Sequence, residues 1–355
     1  MRVVVVGATG NVGTSVVEAL GADERVSEIV GIARRPPEFT PVKTRFVSAD
    51  VSEDDLDPHL AGADAVVHLA WLFQPSHKPM ETWRNNVLGS IRVFEAGARS
   101  GVGALVHASS VGAYSPGPDD GASVDESWPT HSPSAATYGR EKAYLERVLD
   151  TFERDHPDVR VVRLRPGLLF KRASATAQRR LFAGPFVPSR LLRPGRLPVL
   201  PYPKGLRFQA LHTSDAADAC RRAVTSDVRG PFNLAAEDVL DADALAQVLG
   251  TRLISLPPAL LRSVTAATWH AHLVPTEPAM LDLALGFPIM DSGRARTQMG
   301  WMPRCSARDA LTEALEGMAD GAGGPTKPLA ADRVDRRAAE VATGVGQKAG
   351  RPPRW

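Results

Sequence analysis

Tyr138 and Lys142 stand four residues apart in the run Tyr138-Gly139-Arg140-Glu141-Lys142, which sets a phenol and an ammonium on one face of a helix. A free phenol titrates near ~10 and is a weak base at neutral pH. A neighbouring ammonium, and the positive charge of an oxidised nicotinamide, both favour the phenolate. Tyr138 so placed can accept a proton from a substrate hydroxyl or return one to a carbonyl. Ser109-Ser110 ends the apolar run Ala104-Leu105-Val106-His107-Ala108, and Ser110 offers a hydroxyl to the same oxygen, while Lys142 would also reach the nicotinamide ribose. Read singly, these are a half-exposed tyrosine, a solvated lysine and a turn-capping serine. Read together, Ser110, Tyr138 and Lys142 form a candidate catalytic set for hydride chemistry.

Such chemistry needs a cofactor, and the amino terminus supplies its cradle. Arg2-Val3-Val4-Val5-Val6 reads as a strand buried on both faces. It runs directly into Gly7-Ala8-Thr9-Gly10-Asn11-Val12-Gly13, where glycines at three-residue spacing permit a tight turn and a helix start close to a phosphate. The next strand ends in Ala33-Arg34-Arg35. The NAD-type acid that grips a ribose 2′-hydroxyl is missing there, and two guanidiniums suited to a 2′-phosphate replace it. NADP is therefore the expected cofactor, with NAD as the alternative. Asp50-Val51, after a third strand, could hold the adenine edge, and Asp50 could equally cap a helix.

Strand and helix patterns alternate as far as Val159–Leu164, which predicts right-handed βαβ crossovers and an α/β fold built on a doubly wound parallel (Rossmann) sheet. Residues 1–166 form the expected dinucleotide-binding domain. Residues 167–318, crowded with proline and arginine, form a smaller carboxy-terminal substrate lobe with some chain returning to the sheet. Residues 319–355 hold Gly, Ala, Pro and charge with few large apolar side chains, and are expected not to pack. Among the 355 residues, 43% are hydrophobic and 23% charged, and the net charge of +2 does not favour nucleic acid as a partner. Cys220 and Cys305 alone provide neither a disulfide framework nor a zinc ligand set. The apolar stretch Leu253–Val274 is interrupted by Pro257, Pro258, Arg262, His270 and His272, so no membrane span is expected. A first strand at residue 2 leaves no room for a signal peptide, and a reducing cytoplasm is the expected compartment.

The chain resembles an extended short-chain dehydrogenase/reductase of the NAD-dependent epimerase/dehydratase family. The resemblance lies in the Gly7/Gly10/Gly13 loop, Asp50-Val51, Leu69-Ala70, Asn86 with Gly89, Ser109-Ser110, Tyr138 with Lys142, and Arg165-Pro166-Gly167. Two later segments, His212–Ala219 and Met299-Gly300-Trp301-Met302-Pro303, extend it to about residue 318. It implies that Leu69, Ala70 and Asn86 line the cofactor groove and that Pro166 lies against the nicotinamide. Trp71, Arg207 and His212 would then face the substrate, and dimerisation through a two-helix face is the family's habit. Ser110-Val111-Gly112 departs from the Thr-Asp-Glu of family dehydratases, which disfavours dehydration. Phe208, four residues before His212, replaces an arginine found in sugar-nucleotide epimerases.

Three functions follow. The first is an NAD(P)-dependent oxidoreductase that interconverts a carbonyl and a secondary alcohol of a small molecule. The second is a nucleotide-sugar epimerase on the same Ser/Tyr/Lys site, with Lys171, Arg172, Arg179, Arg180, Arg190, Arg193, Arg196 and Lys204 available to clamp a pyrophosphate. The third is a non-catalytic NADP-sensing protein.

Overall fold

The computed structural model describes residues 1–332, 334–342 and 344–346. Five strands open the fold: β1 (Arg2–Val6), β2 (Glu28–Ala33), β3 (Thr44–Ser48), β4 (Ala65–His68) and β5 (Ala104–Ala108). With Arg160–Pro166 and Gly230–Leu234 they make a seven-stranded sheet in the spatial order Gly230–Leu234, Arg160–Pro166, β5, β4, β1, β2, β3. Every pairing in it is parallel. The order reverses between β1 and β4, the switch point at which such sheets bind ligands.

The valines of β1 alternate between two cores because strand side chains have a period of two. Val3 and Val5 pack with Val16, Val17 and Leu20 of helix α1 (Asn11–Gly21) and with the helix Thr213–Thr225. Val4 and Val6 pack on the opposite face, in a layer that includes Phe94, Leu145 and Leu149. Leu145, Leu149 and Phe152 recur on one side of the helix Thr137–Asp155, and their burial fixes which face of it turns to the sheet. Tyr138 and Lys142 are thereby carried to the carboxyl end of β5.

Beyond Gly167 the chain builds a smaller sheet from Leu168–Phe170, Phe208–His212 and Val239–Leu240, and a parallel pair from Val199–Pro203 and Arg252–Leu256. The two late segments of the family resemblance meet here, since the fully buried Trp301 donates Nε1–H to the Asp215 carbonyl at 2.8 Å. Among the described residues no helix is long and apolar enough to cross a membrane.

The carboxy-terminal segment departs from the sequence expectation of no packing. After the helix Ala307–Ala319 the chain lies against the glycine loop, where Thr326 Oγ1 donates to the Thr9 carbonyl at 2.8 Å. Leu329 is 2% exposed, and a further helix, Val334–Ala342, follows. Composition misjudged this stretch because its partners are charged and distant. Arg172 and Arg193 pair with Asp320, and Arg179 pairs with Asp332 and Glu340. The end of the tail, residues 347–355, lies outside the described residues.

Candidate active site

The turn after β1 is closed on all sides by backbone. Gly7 has φ 88°, and a Cβ there would stand 2.7 Å from the Ala70 amide nitrogen. A Cβ on Gly13 would stand 2.2 Å from the Gly7 carbonyl oxygen. Only glycine fits these positions, so the loop, α1 and the Leu69-Ala70 segment after β4 approach as closely as a dinucleotide cradle requires. Helix α1 starts behind Gly10 with no side-chain cap and no acidic residue in its first turn. Its leading N–H groups therefore suit a pyrophosphate. Lys171 reaches in from the second lobe, its Nζ donating to the Asn11 carbonyl (2.6 Å), Thr14 Oγ1 (2.7 Å) and Ser15 Oγ (2.9 Å). Burial pulls this ammonium down to about 8.

At the end of β5, Ser110 caps the turn Val111–Ala113 by accepting from the Gly112 amide at 3.0 Å. A Cβ on Gly112 would lie 2.8 Å from the Tyr138 ring, so this glycine admits the phenol beside Ser110. Burial pushes the Tyr138 hydroxyl up to about 12, and its hydrogen bond with Ser110 opposes the rise. Lys142 Nζ donates to the Ala108 carbonyl at 2.6 Å and lies 3.5 Å from the Trp71 ring centre. Burial draws it down to about 7, against the opposing charges of Glu141 and Glu146. Burial thus acts on the phenol in the opposite sense to the lowering expected from a neighbouring ammonium, and Lys142 is turned toward Ala108 and Trp71.

An aromatic wall covers the phenol. Trp71 meets the Tyr138 ring edge-on at 5.6 Å, Phe73 stacks on it at 5.2 Å, and Phe182 meets Phe73 at 5.9 Å. Of these, only Trp71 was expected at the site from sequence. Asn86 holds the wall in place: its amide brackets Leu72, donating to the carbonyl (2.8 Å) and accepting from the N–H (2.7 Å). Asn86 also donates to the buried Glu141, which accepts from Thr82 as well.

A buried ionic bundle beneath the site was not anticipated. Glu146, fully buried, accepts from Arg165 Nε (2.9 Å) and Nη2 (2.8 Å) and from Ser109 Oγ (2.5 Å), with Arg163 close by. Burial alone would raise this carboxyl, but Arg165, Ser109 and Arg163 bring it down to about 2. Two signals were visible in the sequence. Glu146 continues the four-residue spacing of Tyr138 and Lys142, and arginines interrupt the apolar strand Arg160–Pro166. His68 and His107 stack at 5.6 Å behind Lys142, and burial keeps both imidazoles neutral at pH 7.

The remaining expected residues fall into two groups. Arg34 and Arg35 directly follow β2, Val51 packs below the sheet end, and Pro166 ends its strand in the core. Asp50 accepts from the N–H and hydroxyl of Ser52 within a turn and caps no helix, the next one starting only at Asp57. Other residues lie elsewhere. His212 caps the helix Thr213–Thr225 through Ser214 and stands 3.4 Å from Glu313, and Arg207 lines a separate cavity with Tyr202, Asp241 and Ser255. Neither is brought to Tyr138, because both belong to the rim of the second lobe. Most of the pyrophosphate-clamp cations are likewise engaged, Lys171 with α1 and Arg172, Arg179, Arg180 and Arg193 with the carboxy-terminal segment.

A seven-stranded parallel sheet with a glycine cradle at its switch point and a Ser/Tyr/Lys set one strand away defines a dinucleotide-dependent enzyme class. The profile of the NAD dependent epimerase/dehydratase family matches residues 3–235, and the chain belongs to that family. It is 28% identical over 320 residues to an uncharacterized protein of Mycobacterium tuberculosis, covering 88% of this chain and 29% of that protein. The chain thus spans under a third of the length of that relative. Among solved structures, MoeE5 in complex with UDP-glucuronic acid and NAD is similar at TM-score 0.65 and 23% identity, over 90% of this chain and 99% of that one. UDP-glucose 4-epimerase of Thermotoga maritima is similar at TM-score 0.67 and 17% identity, with 90% and 99% covered. These structural likenesses speak for the fold.

Proposed function

We propose that the protein is an NAD(P)-dependent oxidoreductase that reduces a carbonyl of a small molecule to a secondary alcohol, with Tyr138 as the proton donor. The observation that carries this reading is the placement of the phenol: half-buried at the end of β5, hydrogen-bonded to Ser110, with Lys142 Nζ 6.0 Å from its ring centre. Its hydroxyl proton is available to a substrate oxygen on which negative charge develops. The cradle of Gly7, Gly10, Gly13, Leu69 and Ala70 would hold a nicotinamide dinucleotide, whose chemistry when bound would be hydride donation to the carbonyl carbon. Tyr138 passes its hydroxyl proton to the carbonyl oxygen as negative charge develops there, and Ser110 donates a hydrogen bond to the same oxygen. Lys142 fixes the end of β5 through Ala108 and stands ready for the cofactor ribose. Trp71 and the partly exposed Phe73 and Phe182 favour an apolar or aromatic face on the substrate. Arg34 and Arg35 at the end of β2 support NADP over NAD.

A second reading, nucleotide-sugar epimerase, draws on the UDP-sugar ligands of the structural neighbours. Here it is weakened by the engagement of the lobe arginines with Asp320, Asp332 and Glu340. Incubating the full chain with NADPH and a panel of carbonyl compounds and UDP-sugars separates the readings. Reduction consumes NADPH mole for mole with the carbonyl, whereas epimerisation leaves the cofactor unchanged. Cofactor binding with neither reaction would leave a sensing protein. Tyr138→Phe is expected to bind cofactor normally and to lose about 10²- to 10⁴-fold in turnover. Turnover close to the unsubstituted protein's would remove Tyr138 from the chemistry.

A further inference from the structure

Two features that the catalytic reading leaves unused explain each other. One is the run of cations between 171 and 193, and the other is the acid-bearing carboxy-terminal segment. We infer that residues 320–332, 334–342 and 344–346 belong to a strap across the dinucleotide groove that gates exchange of the bound cofactor.

The strap is fastened on both flanks of the switch point. On the β1 side, Thr326 is 2% exposed and donates to the carbonyl of Thr9, inside the glycine loop. Beyond it, Arg180 Nη2 donates to the Pro328 carbonyl at 3.0 Å, and Arg179 Nη2 to Glu340 Oε1 at 3.0 Å, which ties the strap to the second lobe. On the β4 side the His77 amide donates to the Gly346 carbonyl at 3.4 Å. The groove runs from Arg34 past Gly7–Gly13 toward Tyr138, and the strap is tied at its middle, beside the α1 amides that suit a pyrophosphate. A cofactor leaving outward has to undo these ties. Polar bonds and ion pairs supply the ties named, and opening would in addition expose the buried Leu329 and Val345. The gate presupposes a dinucleotide in the groove.

The test is the dissociation rate of NADPH, or of NADH if that binds better, measured by stopped-flow displacement from the full chain. A chain ending after Ala319 is expected to release cofactor at least about tenfold faster, and Thr326→Val about three- to tenfold faster, as expected for one lost hydrogen bond. Release from the full chain should quicken with added salt, which screens the Arg–carboxylate ties, and the shortened chain should lose that dependence. Circular dichroism checks that the shortened chain is folded; if it is not, Thr326→Val decides alone. Unchanged rates in the folded variants overturn the gate, as does slower release, which would make the segment an obstruction. If the full chain binds neither cofactor, the dinucleotide reading falls and the gate with it.

Discussion

Lys142→Met is expected to stabilise the protein while removing its activity, and the gain should depend on pH in a defined way. Lys142 is 5% exposed, and burial lowers its ammonium from 10.5 to about 7. Above about pH 10.5 neither folded nor unfolded chain holds the proton, and the group contributes nothing. Between about 10.5 and 7 the unfolded chain binds a proton that the folded chain does not, so each pH unit of acidification costs about 1.4 kcal/mol of stability. Below about 7 both forms are protonated and the cost stays constant. The full span sets an upper bound of about 5 kcal/mol. Methionine has a similar volume and no charge. It forfeits the Ala108 hydrogen bond, about 1 kcal/mol, and the contact with the Trp71 ring, about 1–2 kcal/mol. The net gain at neutral pH is therefore about 2–3 kcal/mol. Urea unfolding of both proteins, repeated from about pH 6 to pH 10, reads it directly. The gain should be largest at pH 7 and below, fall by about 1.4 kcal/mol per pH unit above it, and change sign between about pH 8 and 9. A difference that is flat in pH, or a gain that grows toward alkaline pH, would show that the folded protein keeps this ammonium charged at no cost and would refute the reasoning.

Three other substitutions probe separate parts of the site. Glu146→Gln leaves Arg163 and Arg165 buried without their shared carboxylate and should cost about 3–5 kcal/mol in urea unfolding; a loss below about 1 kcal/mol would show that the bundle is not the support described. Gly13→Ala drives a methyl to 2.2 Å from the Gly7 carbonyl, so the loop must shift, and cofactor affinity measured by calorimetry should fall at least about tenfold. Wild-type affinity in that variant would mean that the turn does not hold the phosphates. Arg34→Ala should weaken NADPH by about ten- to hundredfold while leaving NADH unchanged, and equal loss for both cofactors would assign Arg34 to packing rather than to a 2′-phosphate.

The parts of the molecule legible from sequence are those written in local pattern. Val3–Val6 and the glycines after them fix a strand, a turn and a helix within twenty-one residues, and Tyr138 with Lys142 shares one helical face. The supporting parts depend on distant partners. Glu146 looks like a surface acid until Arg165, nineteen residues on, is folded over it. The surroundings of Tyr138 were illegible for a related reason: spacing shows which charge is near, whereas Trp71 and Phe73, which flank the ring, come from a segment more than sixty residues earlier. His212 was legible as part of a family segment, yet its place is set by the helix it caps. The carboxy-terminal segment was the least legible, because polar composition says nothing about arginines waiting more than a hundred residues earlier.

The hydrogen bond between Thr326 and Thr9 joins residues 317 positions apart. A ribosome makes the glycine loop more than three hundred residues before Thr326. The first lobe therefore has time to fold before the inferred strap exists. A chain that stops short of Thr326 would leave uncovered the groove that the strap is inferred to cross.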